Sequence, residues 1–219
     1  MAHTAVAPRI PLAGSTAKVE VTAQLMDRRF IDLMISWSGA VIALVLVTIG
    51  AAAIFGGSFA LSNVRDRLAP QNITFPPAEA MSDFDKAEGL TAFAGQKVAT
   101  GTDAEAFSRY IGGHLAEVNE GATYSETSSE SRAYAAEVGE DPTAAESAKM
   151  GELSGKVDSL FRGETLRGML LNAYGWWTVG QITMWAGIGA AIAGLFLGMF
   201  ASLGFLHARK ARRSQPATQ

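Results

Sequence analysis

Residues 178–205 read TVGQITMWAGIGAAIAGLFLGMFASLGF, without a single Asp, Glu, Lys or Arg. In hydrocarbon only a helix or a closed barrel satisfies its own backbone hydrogen bonds, and about 20 apolar residues of helix cross the roughly 30 Å layer. The stretch therefore predicts a membrane-spanning helix. Its uncharged surroundings run from Gly168 to Leu206, and a second uncharged stretch runs from Leu33 to Val64, with its apolar centre at 40–59, AVIALVLVTIGAAAIFGGSF. A cleaved signal peptide would carry a shorter apolar run nearer the N-terminus. A buried core helix of this length would rarely lack charge altogether. Both stretches read as spans, and the composition (48% hydrophobic, 18% charged, no Cys) excludes a wholly soluble enzyme, a disordered tail protein and a disulfide scaffold.

Working outward, the flanks set an orientation. Residues 1–32 and the tail from His207 carry Arg9, Lys18, Arg28, Arg29, Arg209, Lys210, Arg212 and Arg213 against Glu20, Asp27 and Asp32, a net of +5. The connecting segment 65–167 has ten basic and eighteen acidic residues, a net of -8. Basic flanks stay cytoplasmic, so both termini are expected inside, with Arg65 and Arg67 as mild counter-evidence. Aromatic residues suit interface belts: Tyr174, Trp176 and Trp177 at the outer boundary and Trp37 at the inner one. The expected fold is all-α: a cytoplasmic segment 1–35, a transmembrane helix 36–61, an acidic helical extracytoplasmic domain 62–173, a second transmembrane helix 174–206 and a basic tail 207–219. That tail reads as a topology signal, with retention of anionic lipid head groups as a further possibility.

Small residues recur every four positions along the second span, at Ala186, Ala190, Gly194, Gly198 and Ser202, with shorter counterparts in Ala52-x-x-x-Gly56 and Ala53-x-x-x-Gly57. Such a ridge lets another backbone approach closely. The spans are expected to pair as a hairpin; the competing reading turns the ridge toward another subunit. Neither span holds an ionisable residue, which disfavours a pore or transporter built from this chain alone.

Between the spans the signals are helical. Thr102-x-x-Glu105 reads as a capping box, followed by a stripe at Phe107, Ile111, Leu115 and Val118, with Gly121 as the stop. A second helix is expected over 127–138, ended by Gly139. A third is expected from Asp141-Pro142-Thr143, with Asp as cap, Met150, Leu153, Val157 and Leu160 on one side, and a nearly continuous run into the second span. Pro70, Pro76 and Pro77 predict an extended linker, with a helix restarting at Pro77. Large apolar residues are few, so a thin core is expected.

No catalytic constellation stands out. Zinc needs three or four ligands, and His114-x-x-Glu117 offers two. Asp83-x-Asp85-x-x-Glu88 lacks the length and glycine of a calcium loop and reads as a solvated helix start. Asn72-Ile-Thr74 fits a glycosylation acceptor, which matters only in a cell that glycosylates there. No cofactor and no metal are expected, and an acidic outer segment disfavours nucleic acid.

The segments QNITFPPAEAM (71–81), SRYIGGHLAEVNEGATYSE (108–126) and LFRGETLRGMLLNAYGWWTVGQI (160–182) resemble a family of uncharacterised actinobacterial two-span membrane proteins. The resemblance implies a bacterial plasma-membrane setting and brings no activity, ligand or catalytic residue. The function expected is that of a non-enzymatic accessory, scaffold or interaction subunit of a larger membrane complex, or of a self-associating protein. Ala190, Gly194 and Gly198 would associate in lipid, and Leu153, Val157 and Leu160 outside it. The alternative is an envelope-ligand sensor signalling through the helix that enters the second span; a transport-associated component ranks third.

Overall fold

The computed structural model describes the backbone of residues 13–213 and the side chains of 30–210. It is helical throughout, and among the described residues the only strand-like pairing is an isolated antiparallel bridge between Thr74 and Lys97. Five α-helices follow in order: α1 (Ala13–Leu68), α2 (Asp83–Ala87), α3 (Gly101–Val118), α4 (Tyr124–Val138) and α5 (Ala144–Arg213). Short 3-10 turns cover Ala69–Gln71, Ala78–Ala80 and Leu90–Phe93.

α1 and α5 are the two helices long and apolar enough to cross a membrane. At 1.5 Å per residue their 56 and 70 residues measure about 84 and 105 Å, so each far exceeds the hydrocarbon thickness. In each, only 11% of the qualifying eighteen-residue stretch is buried, whereas the core helix of a soluble protein would be mostly covered. No proline falls between Ala13 and Leu68 or between Ala144 and Arg213, which is why neither helix breaks. Pro70 follows the end of α1, and Asn72 then turns the chain with φ 52°. The third outer helix and the second span are accordingly one element.

The chain divides into two compact units. The first joins residues 1–52 to 187–219. Here α1 and α5 run antiparallel, as successive contacts show: Trp37 lies edge-on to Phe205 with ring centroids 5.7 Å apart, Gly39 faces Ala201, and Gly194 faces Ala43 and Val47. The buried positions are Ser36, Ala43 and Gly50 on α1 and Gly187, Gly194, Ala201 and Ala208 on α5, each seven residues from the next. A seven-residue repeat of small residues keeps one seam in line along two helices that coil about each other. At Gly50 backbone meets backbone: a Cβ there would lie 2.7 Å from the Gly187 carbonyl oxygen and 2.7 Å from the Ala191 nitrogen.

The second unit is 53–186. Gly57 meets Gly180 and Met184 in the same manner, with 2.7 Å from its would-be Cβ to the Gly180 oxygen and the Met184 nitrogen. Beyond this point the buried cluster contains large side chains: Val64, Leu68, Phe75, Met81, Leu90, Val98, Leu170 and Trp177, with Ala104 and Ala106. Of the proline-rich stretch, Pro70 lies in the 3-10 turn Ala69–Gln71 and only the part around Pro76 and Pro77 is non-helical, and it is not a free linker. Phe75 N donates to Gln96 O (2.9 Å) and Val98 N to Ile73 O (2.9 Å), so 73–76 folds against 95–98. That pairing buries Phe75, whose ring stacks on Phe93 (5.4 Å) and meets Phe107 edge-on (5.0 Å). The outer core is therefore better filled than its composition suggests. At Pro77 only the 3-10 turn Ala78–Ala80 begins; the next α-helix starts at Asp83.

Helix starts shift from the positions expected. α3 is capped by Thr100 with Asp103, not by Thr102 with Glu105. α4 begins three residues early, capped by Thr123 with Glu126, and α5 is capped by Thr143 with Glu146 rather than by Asp141. Gly101, the first helical residue of α3, lies against the Trp177 side chain so closely that any Cβ would overlap it. The fully buried face of α3 is made of small residues, including Ala104 and Ser108, while Phe107 and Ile111 are partly buried and Val118 is 64% exposed. α4 lies antiparallel along the start of α5, since Tyr124 contacts Phe161 (5.9 Å) and Lys149 sits 4.5 Å over the Tyr134 ring.

Candidate functional site

A cavity of about 970 Å³ opens within unit 53–186, between the end of α1, α3 and the middle of α5. Its size falls in the range of small-molecule sites, roughly 300 to 1,000 Å³. Two walls come from the antiparallel pair: Gly56, Phe59 and Ala60 on α1, and Met169, Ala173 and Trp176 on α5. Ile73, Phe107 and Ile111 complete the apolar lining, placed there by the fold of 73–98 against α3. One edge is polar. Asn63 and Arg67 on α1 and Gln71 in the 3-10 turn that follows it, four residues apart, form a row along it, and Asn172 contributes from α5.

The row is internally bonded. Arg67 Nε donates to Asn63 Oδ1 (2.7 Å), and Gln71 Nε2 donates to the Arg67 carbonyl (3.1 Å). Among the described residues Arg67 makes no ion pair, so its guanidinium keeps donors and a full charge to offer. Arg65, two residues earlier, points elsewhere and lies 5.9 Å from the centroid of the Trp177 ring. In the sequence these arginines weighed only on orientation. The spacing Asn63-x-x-x-Arg67-x-x-x-Gln71 was the available signal that one of them belongs to a helix-face constellation.

The expected interface anchors separate. Trp176 (60% exposed) and Tyr174 (38%) face outward, but Trp177 is 8% exposed and belongs to the core, beneath Arg65 and against Gly101. Adjacent residues on a helix point about 100° apart, so a Trp-Trp pair naturally supplies one inward and one outward ring. Trp37 is 64% exposed beside Phe205. Arg209 is exposed, Lys210 has an interaction of its own, and the side chains of Arg212 and Arg213 lie outside the described residues.

Of the five-residue ridge spaced by four, Gly194 is buried in the seam and Ala190 and Gly198 border it, while Ala186 and Ser202 are exposed. On α1 Gly57 is buried and Ala53 borders it, whereas Ala52 and Gly56 are exposed. In the first part of α5, Leu153 and Leu160 are covered within the chain (5% and 4% exposed), which leaves Val157 as the partly open member of that trio.

The acidic triplet divides. Asp83 is solvated and pairs with Lys86 (3.0 Å), and Glu88 pairs with Arg109 (3.3 Å). Asp85, contrary to a solvated helix start, is fully buried: its Oδ2 accepts from the Ser82 nitrogen (2.9 Å) and hydroxyl (3.1 Å), and its Oδ1 has no partner. The reason is the capping box of α2, which turns the third-position carboxylate back toward the chain. Burial, then the nearby Asp85 and Glu117 carboxylates, push the Tyr110 hydroxyl above its ordinary value. His114 is half-buried, its ring tilted 44° to that of Tyr110 with centroids 4.3 Å apart, and its Nδ1 is 3.2 Å from the Tyr110 carbonyl. Among the described residues no three His, Cys, Asp or Glu side chains converge on a point. Asn72 is exposed and accepts from Lys97 Nζ (3.2 Å).

No protein-family model, curated protein or solved structure matches this chain.

Proposed function

We propose that the chain is an integral plasma-membrane protein with both termini cytoplasmic and residues 62–173 outside, serving as an accessory or interaction subunit of a larger membrane complex. The basic flanks and acidic connecting segment support the orientation. The observation that carries the interaction reading is an exposed aromatic pair. Phe161 (57% exposed) and Tyr124 (40%) touch each other on α5 and α4. Fifteen residues of helix, about 22 Å, separate Phe161 from Trp176, so lipid that covers the apolar faces below does not reach it. A contacting aromatic pair left in water is a preferred anchor for a protein partner.

The chain contains no Cys, so single substitutions report orientation cleanly. Ser125→Cys should react with a membrane-impermeant maleimide on intact cells, and Ser202→Cys should not; the reverse pattern sinks the topology. Mild detergent extraction followed by mass measurement should give a complex larger than the chain, reduced to the single chain by Phe161→Ser with Tyr124→Ser. A lone chain from wild type would refute the accessory role.

A second reading is favoured by one feature. α5 is unbroken from Ala144 to Arg213, so a ligand that shifts its outer end would move the same helix inside the membrane. On that reading the outer segment is a sensor, and ligand addition should change spin-label distances across both ends of α5.

A further inference from the structure

The cavity in unit 53–186 has the layout of an amphiphile site. Because Gly57 faces Gly180 in an antiparallel pair, Arg67 stands level with about residue 170, six residues or roughly 9 Å beyond Trp176. Trp176 is exposed where an aromatic ring would mark the outer boundary of the hydrocarbon. The polar row Asn63, Arg67 and Gln71 thus begins near the head-group level, while Gly56 and Phe59 lie at acyl depth. A cation without an acidic partner sits at one end of an apolar trough, and no Asp or Glu lines any part of it. We propose that this cavity holds one anionic phospholipid, its phosphate bonded by Arg67 with Asn63 and Asn172, and an acyl chain laid along Ala173, Trp176 and Phe59. An arginine fork matches phosphate oxygens in two-point hydrogen bonds, and a net negative head group finds no lining carboxylate to repel it. The inference rests on the chain spanning the bilayer, which the maleimide experiment above tests separately.

The test uses the full-length protein in mild detergent, incubated with phosphatidylglycerol or with phosphatidylcholine of the same chains and read by native mass spectrometry. One phosphatidylglycerol per chain should be retained in preference to phosphatidylcholine. Arg67→Gln should weaken retention about tenfold or more, the scale of a lost charged hydrogen bond. Gly56→Trp is the independent variant: a Cβ at Gly56 meets nothing within 4 Å, so the helix accepts the side chain while the ring occupies the trough. It should abolish retention with the melting temperature and helix content of wild type, whereas Arg209→Gln should leave retention unchanged. Equal retention of both lipids, or wild-type retention by Arg67→Gln and Gly56→Trp, overturns the proposal.

Discussion

In residues 30–52 and 187–210, α1 and α5 meet through Ser36, Ala43, Gly50, Gly187, Gly194 and Ala201; in residues 53–186 the buried set includes Phe75, Met81, Leu90, Leu170 and Trp177. The first surface is made of what side chains leave out, the second of what they fill in. Lipid tails are as apolar as Leu, so burying a large residue between helices gains little there, and association depends on close backbone packing. Water reverses the balance: each large apolar side chain taken from it contributes about 1.5–3 kcal/mol, so an outer core is built from rings and branched chains. The two surfaces should accordingly fail under opposite substitutions.

The largest effect is expected where the aromatic core is emptied. Phe75 is 2% exposed and touches the rings of Phe93, Phe107 and Tyr110, and its replacement by Ala should cost about 3–5 kcal/mol. Limited proteolysis should then cut within 73–98, while a seam contact between α1 and α5 in the other unit persists. Equal protease resistance in wild type and variant would mean that Phe75 does not organise the outer core.

That persistence has a direct readout. A Cβ at Gly39 would lie 3.5 Å from the Ala201 Cβ, within disulfide range, so the double variant Gly39→Cys, Ala201→Cys should crosslink under mild oxidation. Adding Gly50→Leu should abolish the crosslink, because its side chain meets backbone atoms that cannot move aside; overpacking alone costs about 1–3 kcal/mol. Ala186→Leu, at an exposed position, should leave it intact. If Gly50→Leu and Ala186→Leu behave alike, the seam does not depend on small residues.

These positions also show what could be read from the chain and what could not. The two long apolar helices follow from charge-free length alone, and the unbroken α5 from the absence of proline. The seam did not follow. A row spaced by four advances about 40° per step beyond full turns, so Ala186 and Ser202, sixteen residues apart, point roughly 160° apart. A row spaced by seven drifts only about 20° and stays in contact when two helices coil. Both rows pass through Gly194, so composition could not choose between them. Capping boxes were ambiguous for a similar reason. Thr100-x-x-Asp103 and Thr102-x-x-Glu105 both offer a threonine with an acid three residues on, and the second fits the usual pattern better, yet the extended Thr100 (φ -119°, ψ 166°) is the cap that forms. The cavity was least legible, since its walls come from three separate stretches of chain, 56–73, 107–111 and 166–176.

A smaller effect than either packing change is expected at that selected cap. Thr100 Oγ1 accepts from Asp103 N (3.2 Å), and Thr100→Ala should cost about 1 kcal/mol of outer-core stability, measured by urea unfolding. Thr102→Ala, outside the box, should cost less; the opposite order would move the start of α3 back to the frame first expected.

The smallest effect concerns acid. Glu126 and Glu146 are both solvent-exposed, and hydrogen bonds from Thr123 and from Thr143 hold their carboxyls below the usual glutamate range. A carboxyl with a depressed value in the folded state adds stability that is present above its unfolded value and lost as pH falls through the folded one. The caps of α4 and α5 should therefore loosen only in acid, below the ordinary glutamate titration. Hydrogen exchange at the first turns of these helices should accelerate there relative to their centres, after correction for intrinsic rates. Glu126→Gln and Glu146→Gln should flatten that acid response, because an amide still bonds the threonine but carries no charge to lose. The seam positions Ser36, Ala43, Gly50, Gly187, Gly194 and Ala201 carry no ionisable side chain and should show no change over the same range, and an acid response there would contradict packing as its basis.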